Sequence, residues 1–367
     1  MNIDIILPYK EIYSEDKASA VSLTVKNSME FSKFNSTIKI YGQFTINPFS
    51  NKNFIGIKIK RFFHFGKNRS IFINYFDLNK KYKEKKFITE IHNRPYIFNL
   101  AINKIHNKPI TLHYHNDPTA MKGSKKIKER KNIINKASAV YFVSNYIKNK
   151  FLEGIDGDFD NLYVLPNGIE RRLVTKPYKK KEILFIGRLV PEKGAHLFVE
   201  SIKKIAKKHN DWNFKIIGTS KAGQSKLITK YEKKVIEDFK LINNNTSYLG
   251  FISNYEVQEA LKSASILVIP SLWDDPFPLT ALEGLSNGVA IIASSRGGLT
   301  EMLKNKAILL ENINSVNLEQ SINNFILNSA FLEQYQNKSW NNYIYNQTSI
   351  SKLQDSIRDK IFNSYYK

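Results

Sequence analysis

Between Ile266 and Ser294 the chain reads strand, loop, helix, strand. Ile266-Leu267-Val268-Ile269 is a short apolar run. The Pro-rich turn Trp273-Asp274-Asp275-Pro276-Phe277-Pro278 leads into a helical stretch from Leu279, and Val289-Ala290-Ile291-Ile292-Ala293 is a second apolar run. Strands buried on both faces read as continuous apolar runs, and parallel neighbours need a crossover of this kind. The unit is therefore βαβ, and its loop lies at the carboxyl edge of a parallel sheet, where open α/β folds take ligands. The free N–H groups of Leu279 and Thr280 at the helix start suit a phosphate. Glu283 lies one turn further in, within reach of a ribose hydroxyl.

The same alternation runs through the chain. The first half predicts strands at 3–7, 38–41, 55–59, 87–91, 110–113, 139–143 and 162–165. Helices are expected at 17–34, 96–103, 125–135 and 146–152. The second half predicts strands at 182–186, 214–217, 248–251, 266–269, 289–293 and 307–310. A clear helix is expected at 195–209, where Phe198, Ile202 and Ile205 repeat at helical spacing. Turn chemistry in Pro166-Asn167-Gly168-Ile169 closes the first half, and 172–181 reads as a linker. Leu353, Ile357 and Ile361 mark a terminal helix. The fold class is α/β, two doubly wound Rossmann-like domains at 1–172 and 182–345, followed by a segment 346–367.

Composition narrows the partners. The chain has 367 residues, 42% of them hydrophobic, and no cysteine. Disulfides and Cys-ligated metals are excluded. No run approaches the ~20 apolar residues of a spanning helix, and the N-terminus reads as a strand rather than a signal peptide, so a cytoplasmic location is expected. A formal net charge of +23 points to a polyanionic partner, or to a solvated surface in a Lys-rich proteome. Basic clusters occur at 58–61, 80–86 and 122–136. Aromatic interleaving at Phe62-Phe63-His64-Phe65 gives slight support to nucleic acid, but no module signature accompanies it, so no nucleic-acid partner is expected. Ile127, Ile133 and Ile134 give the 122–136 segment a thin apolar face among cations. That pattern fits either an anionic membrane surface, at the inner face of the plasma membrane, or a helix packed on its sheet.

The stretch from Asp275 to Glu283 resembles the E-P-F-G-x-x-x-x-E signature of the retaining GT-B glycosyltransferases of family 4. The two acids are eight positions apart, as in that signature. Asp275 stands for the first Glu, and Pro278 for Gly, which removes one N–H. The D-P-F-P-L-T form most resembles bacterial lipopolysaccharide and capsule hexosyltransferases. Gly187-Arg188-Leu189-Val190-Pro191-Glu192-Lys193-Gly194 resembles the family's G-R-L-x-x-x-K-G motif, in which Arg188 and Lys193 would hold a nucleotide diphosphate. The resemblance implies two domains facing a central cleft, with the terminal helix crossing back to the first domain. It also implies transfer of a hexose such as glucose, galactose or N-acetylglucosamine from a UDP-sugar to a glycan or glycolipid such as lipopolysaccharide core.

Site residues follow from it. Asp275 would hold sugar hydroxyls, and His115, just past a strand end, would face the donor sugar; these are the candidate catalytic groups. Glu283 would hold the ribose, and Phe277, Pro278, Leu279 and Thr280 would line the nucleotide sugar. Ser19 and Ala20 stand where the family often carries a Gly-rich loop, Gly218 and Ile252 could flank the base, and His92, Asn93 and Arg94 could line the acceptor side. No metal or cofactor is expected, since cationic side chains and a helix start replace a divalent ion. A GT-B nucleotide-sugar epimerase is the alternative enzyme, and a basic nucleic-acid-binding protein the alternative of another class.

Overall fold

The computed structural model describes residues 1–59, 66–79, 86–105, 107–220, 228–243 and 245–366. Lys60, Arg61, residues 80–85 and the Phe62–Phe65 run lie outside them. The chain divides into two compact units, one of Met1–Gly168 with the segment from Gln347 onward, the other of Ile169–Asn346.

The first unit holds β1 (Asn2–Ile6), β2 (Ile38–Gln43), β3 (Phe54–Ile57), β4 (Phe87–His92), β5 (Ile110–Tyr114), β6 (Ala139–Phe142) and β7 (Leu162–Val164). All neighbours are parallel, in the order β3-β2-β1-β4-β5-β6-β7. Between them run α1 (Ala20–Glu30), α2 (Lys67–Asn79), α3 (Pro95–Ile102), α4 (Ile127–Lys136) and α5 (Asn145–Leu152). Chain order reverses between β1 and β4, so the carboxyl ends of those strands open a crevice.

The second unit repeats the plan with β8 (Lys180–Ile186), β9 (Asn213–Ile217), β10 (Thr246–Gly250), β11 (Ala264–Ile269), β12 (Ala290–Ser294) and β13 (Ile308–Leu310). The order is β10-β9-β8-β11-β12-β13, again parallel, with the reversal between β8 and β11. Its helices are α6 (Ala195–Lys208), α7 (Lys230–Lys240), α8 (Asn254–Ser263), α9 (Leu279–Ser286), α10 (Gly298–Leu303), α11 (Ser315–Leu327) and α12 (Ser329–Asn341). The expected stripe of α6 is its core face: Phe198, Ile202 and Ile205 are buried among Phe185, Phe214 and Phe239.

All thirteen predicted strands are present, with ends within two residues. Differences concern helices. The first runs over 20–30 rather than 17–34, because Ser19 caps it by accepting from Ser22 N–H. The sequence reading assigned no helix at α2, although Ile71, Phe72 and Tyr75 form its buried face. The predicted linker is fastened at its base. Arg171 stacks 4.0 Å from the Trp340 ring and donates to the Trp340 and Ser286 carbonyls at 2.8 and 3.1 Å.

The terminal helix α13 (Gln347–Tyr366) packs in the first unit. Its buried face holds part of the expected apolar stripe, Ile357 and Ile361, which pack with Ile88, Ala139 and Tyr141, but polar groups share it. Leu353 is 45% exposed, whereas Gln354, Asp355 and Arg358 are buried. They turn inward because the first unit supplies partners. Ser32 Oγ and Lys33 N–H donate to Asp355, each at 2.8 Å, and Ser28 Oγ bonds Gln354. No described helix is long and apolar enough to cross a membrane.

Candidate active site

In the second domain the loops after β8 and β11 meet across the reversal of strand order. Gly194 makes this possible. It sits at φ +69°, and a Cβ there would lie 2.0 Å from the Pro270 carbonyl oxygen. Only glycine lets the Lys193 turn nest so closely on the end of β11. Leu272 N–H and Ser271 Oγ then both donate to the Glu192 carbonyl. The result brings two predicted residues, 82 positions apart in the chain, into contact. Lys193 Nζ donates to Asp275 Oδ2 at 2.5 Å, with Ser271 Oγ at 3.4 Å from the same oxygen. Asp275 is buried, and Lys193 lies 5.3 Å from the Trp273 ring. Arg188 stands exposed on the same loop.

The Asp275–Pro276 turn is seated on the loop after β12. Gly298 N–H donates to the Asp275 carbonyl at 2.7 Å, and a Cβ on Gly298 would fall 1.9 Å from the Pro276 oxygen. Pro278 then leads into α9, whose start has no side-chain cap. The N–H groups of Leu279 and Thr280 are therefore left for a ligand. Phe277 differs from expectation. Its ring is buried edge-on against Tyr345, 5.3 Å away, so its backbone, not its ring, is what a ligand can meet.

Glu283 is buried between α9 and α8. Asn254 Nδ2 donates to Oε1 at 3.0 Å, and Gln258 adds a second bond. Burial pushes its carboxyl up to about 7, against those two hydrogen bonds. Gly218 and Ile252 follow β9 and β10 at the same sheet edge, and Gly218 N–H donates to the Gly250 carbonyl at 2.7 Å.

The first domain builds its crevice from other materials. His92 ends β4 opposite His113 of β5. Their rings stack 4.3 Å apart, and His113 stacks at 4.3 Å on Tyr141 of β6. His115 lies just beyond β5, with its Nε2 2.9 Å from His92 Nδ1. Asn93, at φ +56°, joins the two strand ends: its N–H donates to the His113 carbonyl at 2.8 Å, and its Oδ1 accepts from His115 N–H at 3.1 Å. Arg94 Nη1 donates to the Asn93 carbonyl at 2.6 Å. Burial holds the His115 imidazole down at about 4. Burial, with the neighbouring imidazoles, keeps His92 and His113 well below the ordinary range.

Behind the rings lies a charge cluster that local sequence patterns did not reveal. Glu90 is fully buried on β4, and Arg358 of α13 forks onto it, Nε to Oε1 and Nη2 to Oε2, both at 2.8 Å. Arg358 Nη1 also donates to Asp355 at 3.0 Å. A Glu within the otherwise buried run Phe87–His92 was the available signal, since such an acid needs a partner. Glu90, His92 and His113 bring ligand-type atoms within 4.8 Å of one another. A divalent ion does not fit this group, because a guanidinium already occupies both Glu90 oxygens.

Two expected contacts change their meaning. His92 is 4% exposed and spends Nδ1 on His115, so it is a second layer rather than an acceptor contact. The cavity it lines with His113, His115, Tyr141 and Arg358 holds about 30 Å³, room for a water-sized group and not for a hexose. Ser19 caps α1 and bonds the Glu11 carboxylate, and Ala20 is the first, exposed residue of that helix. Glu11 is itself a group the sequence reading missed. Burial raises its carboxyl, opposed by Ser19 and Arg94. On α4, Ile133 and Ile134 are buried, leaving Ile127 at 45% exposure, so that helix presents a cationic rather than an apolar surface.

Residues 168–346 match the family model "Glycosyl transferases group 1". The second domain is thus a group 1 glycosyl transferase domain. The chain is similar to an uncharacterized glycosyltransferase of Methanocaldococcus jannaschii, MJ1178, at 29% identity over 77% of this chain and 79% of that protein. It is also similar to the lipopolysaccharide 1,2-N-acetylglucosaminetransferase of Salmonella typhimurium, at 26% identity over 33% of this chain and 32% of that enzyme. Among solved structures, Anabaena HepE in complex with UDP and glucose superposes with a TM-score of 0.75 at 14% identity, covering 98% of this chain and 100% of that one. That likeness shows the fold, the two Rossmann-like domains of GT-B glycosyltransferases.

Proposed function

We propose that the chain is a retaining, metal-independent hexosyltransferase that takes a UDP-linked hexose and glycosylates a glycan or glycolipid, lipopolysaccharide core being the model acceptor. The observation that carries this reading is the Lys193–Asp275 contact at the β8/β11 reversal, beside the uncapped start of α9. HepE with UDP and glucose and the Salmonella transferase support the donor and acceptor classes.

The chemistry follows from charge. The anomeric C–O bond to the diphosphate breaks, and the acceptor hydroxyl bonds to the same face of the sugar. Its proton passes to the leaving phosphate oxygen. Arg188, Lys193 and the N–H groups of Leu279 and Thr280 stabilise the charge that develops on the diphosphate. Lys193 is poised on Asp275, so an arriving phosphate exchanges one anionic partner for another, and the released Asp275 turns to sugar hydroxyls. Glu283 accepts from the ribose, with Gly218 and Ile252 beside the base. His115 serves a sugar hydroxyl or the oxocarbenium-like centre. Cationic side chains do the work of a divalent ion. The exposed Lys122, Lys125, Lys126, Lys128, Lys131 and Lys136 draw the enzyme to an anionic, acceptor-bearing membrane surface on the cytoplasmic side.

A thermal-shift screen of nucleotide sugars tests the donor, because a ligand at 100 times its Kd stabilises by about 2.7 kcal/mol. UDP-hexoses should shift the transition, and UDP release should require an acceptor and survive EDTA. Acceptor-independent turnover to an epimerised sugar would replace this reading with an epimerase.

A further inference from the structure

We infer that His92 is a positioning residue for His115: it holds the His115 ring by Nε2, so that Nδ1 is the nitrogen offered to the donor sugar. The sugar-facing part rests on the function proposed above, and the positioning part rests on geometry alone.

His115 is fixed at two points. Its N–H is tied to Asn93 Oδ1 at 3.1 Å, and its Nε2 to His92 Nδ1 at 2.9 Å. A neutral imidazole carries one proton, and a proton on the unpartnered, buried His92 Nε2 would be an unsatisfied donor. His92 therefore carries it on Nδ1 and donates to His115 Nε2, which leaves the His115 proton on Nδ1. His92 cannot swing away. It is packed at 4.3 Å against His113, which is packed in turn on Tyr141. The charged groups facing the stack are Glu90 from β4, with Oε2 3.7 Å from His113 Nε2, and Arg358 and Asp355 from α13. The Arg358 fork holds both Glu90 oxygens, so Oε2 stays beyond hydrogen-bond distance of His113. His92 Nε2 and His113 Nε2 have no hydrogen-bond partner among the described residues, so the bond to His115 is what gives the stack a direction.

The test uses the full chain. His92→Phe keeps a ring stacked on His113 and removes the bond. His92→Asn restores a polar δ-atom at the place of Nδ1. Side-chain ¹⁵N spectra of histidine-labelled protein should show one tautomer of His115 in wild type and in His92→Asn, and an averaged pair in His92→Phe. Turnover should fall roughly 10- to 100-fold in His92→Phe, the range for a misplaced catalytic group. The UDP Kd should be unchanged, and His92→Asn should recover most of the turnover. A single, unchanged His115 tautomer in His92→Phe would overturn the positioning role, as would wild-type turnover of that variant beside an inactive His115→Ala. Full activity of His115→Ala would instead remove the sugar-facing role of His115 and leave the spectra to decide the positioning.

Discussion

The two domains share a plan and differ in chemistry at the same place. Each sheet reverses strand order at its middle, and each collects functional side chains at that reversal. In the second domain the collection is ionic and shaped by glycine: Arg188 and Lys193 on one loop, Asp275 on the next, Gly194 and Gly298 letting the loops nest. In the first domain it is aromatic and neutral, three imidazoles in a row with their one compensated charge cluster hidden behind them. A parallel sheet supplies a position, and the residues placed there choose between holding a phosphate and holding something less charged.

The sharpest way to break this contrast is to remove the hidden cation. Arg358→Ala leaves Glu90 and Asp355 buried without a counter-ion and should cost about 3–5 kcal/mol. All three tryptophans, Trp212, Trp273 and Trp340, lie in the second domain. The loss should therefore show in the far-ultraviolet circular dichroism melt and spare the tryptophan emission transition. If emission shifts equally, the two domains do not hold their charges independently.

In the second domain the charges are there for ligands, so their removal should affect rate more than fold. Lys193→Ala should lower turnover ~10²–10³-fold, with a smaller fall in the melt than Arg358→Ala, because Lys193 is partly exposed and Asp275 keeps Ser271. Wild-type kinetics in that purified variant would remove the lysine from the site.

A pH series sharpens the comparison further. The Glu283 carboxyl is raised to about 7, so between about 4.5 and 7 the folded domain holds a proton the unfolded chain does not. Its contribution to stability is full below about 4.5 and lost as pH rises through 7, on the order of 3 kcal/mol at most. Tryptophan-detected melts of wild type and Glu283→Gln should therefore diverge across that window, and UDP affinity should rise with pH as the carboxylate forms. The first domain has the opposite sign. Its lowered imidazoles give stability that is full above about 6.5 and is lost as pH falls through the His115 value near 4. Parallel pH curves for Glu283→Gln and wild type would leave the buried acid without a titrating role.

The smallest effect is expected on α4. Changing Lys125, Lys126, Lys128 and Lys131 to Gln should move stability by no more than about 0.5 kcal/mol, because these side chains are exposed. It should nevertheless weaken capture by anionic vesicles at low salt. Equal, poor capture of both proteins by anionic and neutral vesicles would remove the membrane from the reading.

The same contrast explains what could be read from the chain. Buried parallel strands must be apolar runs, so all were legible, as was α6 from its period. Arg188, Lys193, Asp275 and Glu283 stood out because each motif is local, a charge at fixed spacing from a strand end. The pairing of Lys193 with Asp275 did not, since it depends on which strands are neighbours. His115 was singled out from its place past a strand end, but His92 was set among acceptor contacts. Its real partner follows from the β4/β5 register, which no local pattern encodes. For α13 the visible Leu353-Ile357-Ile361 spacing found two core residues, Ile357 and Ile361, but not the buried polar groups beside them, because Asp355 and Arg358 are held inside by each other and by groups more than 200 residues earlier.

The pairing of Glu90 with Arg358 also sets an order of events during synthesis. A ribosome makes Glu90 early and Arg358 268 residues later, with the whole of the second domain translated in between. The second domain is contiguous and can close as soon as it emerges, in keeping with domains folding as units. The first waits. Its seven strands are all made before the second domain begins, yet its central strand carries a carboxylate whose counter-ion does not yet exist. The half of the molecule translated first is thus the half completed last, and a nascent chain stalled ahead of α13 would expose an incomplete first domain beside a finished second one.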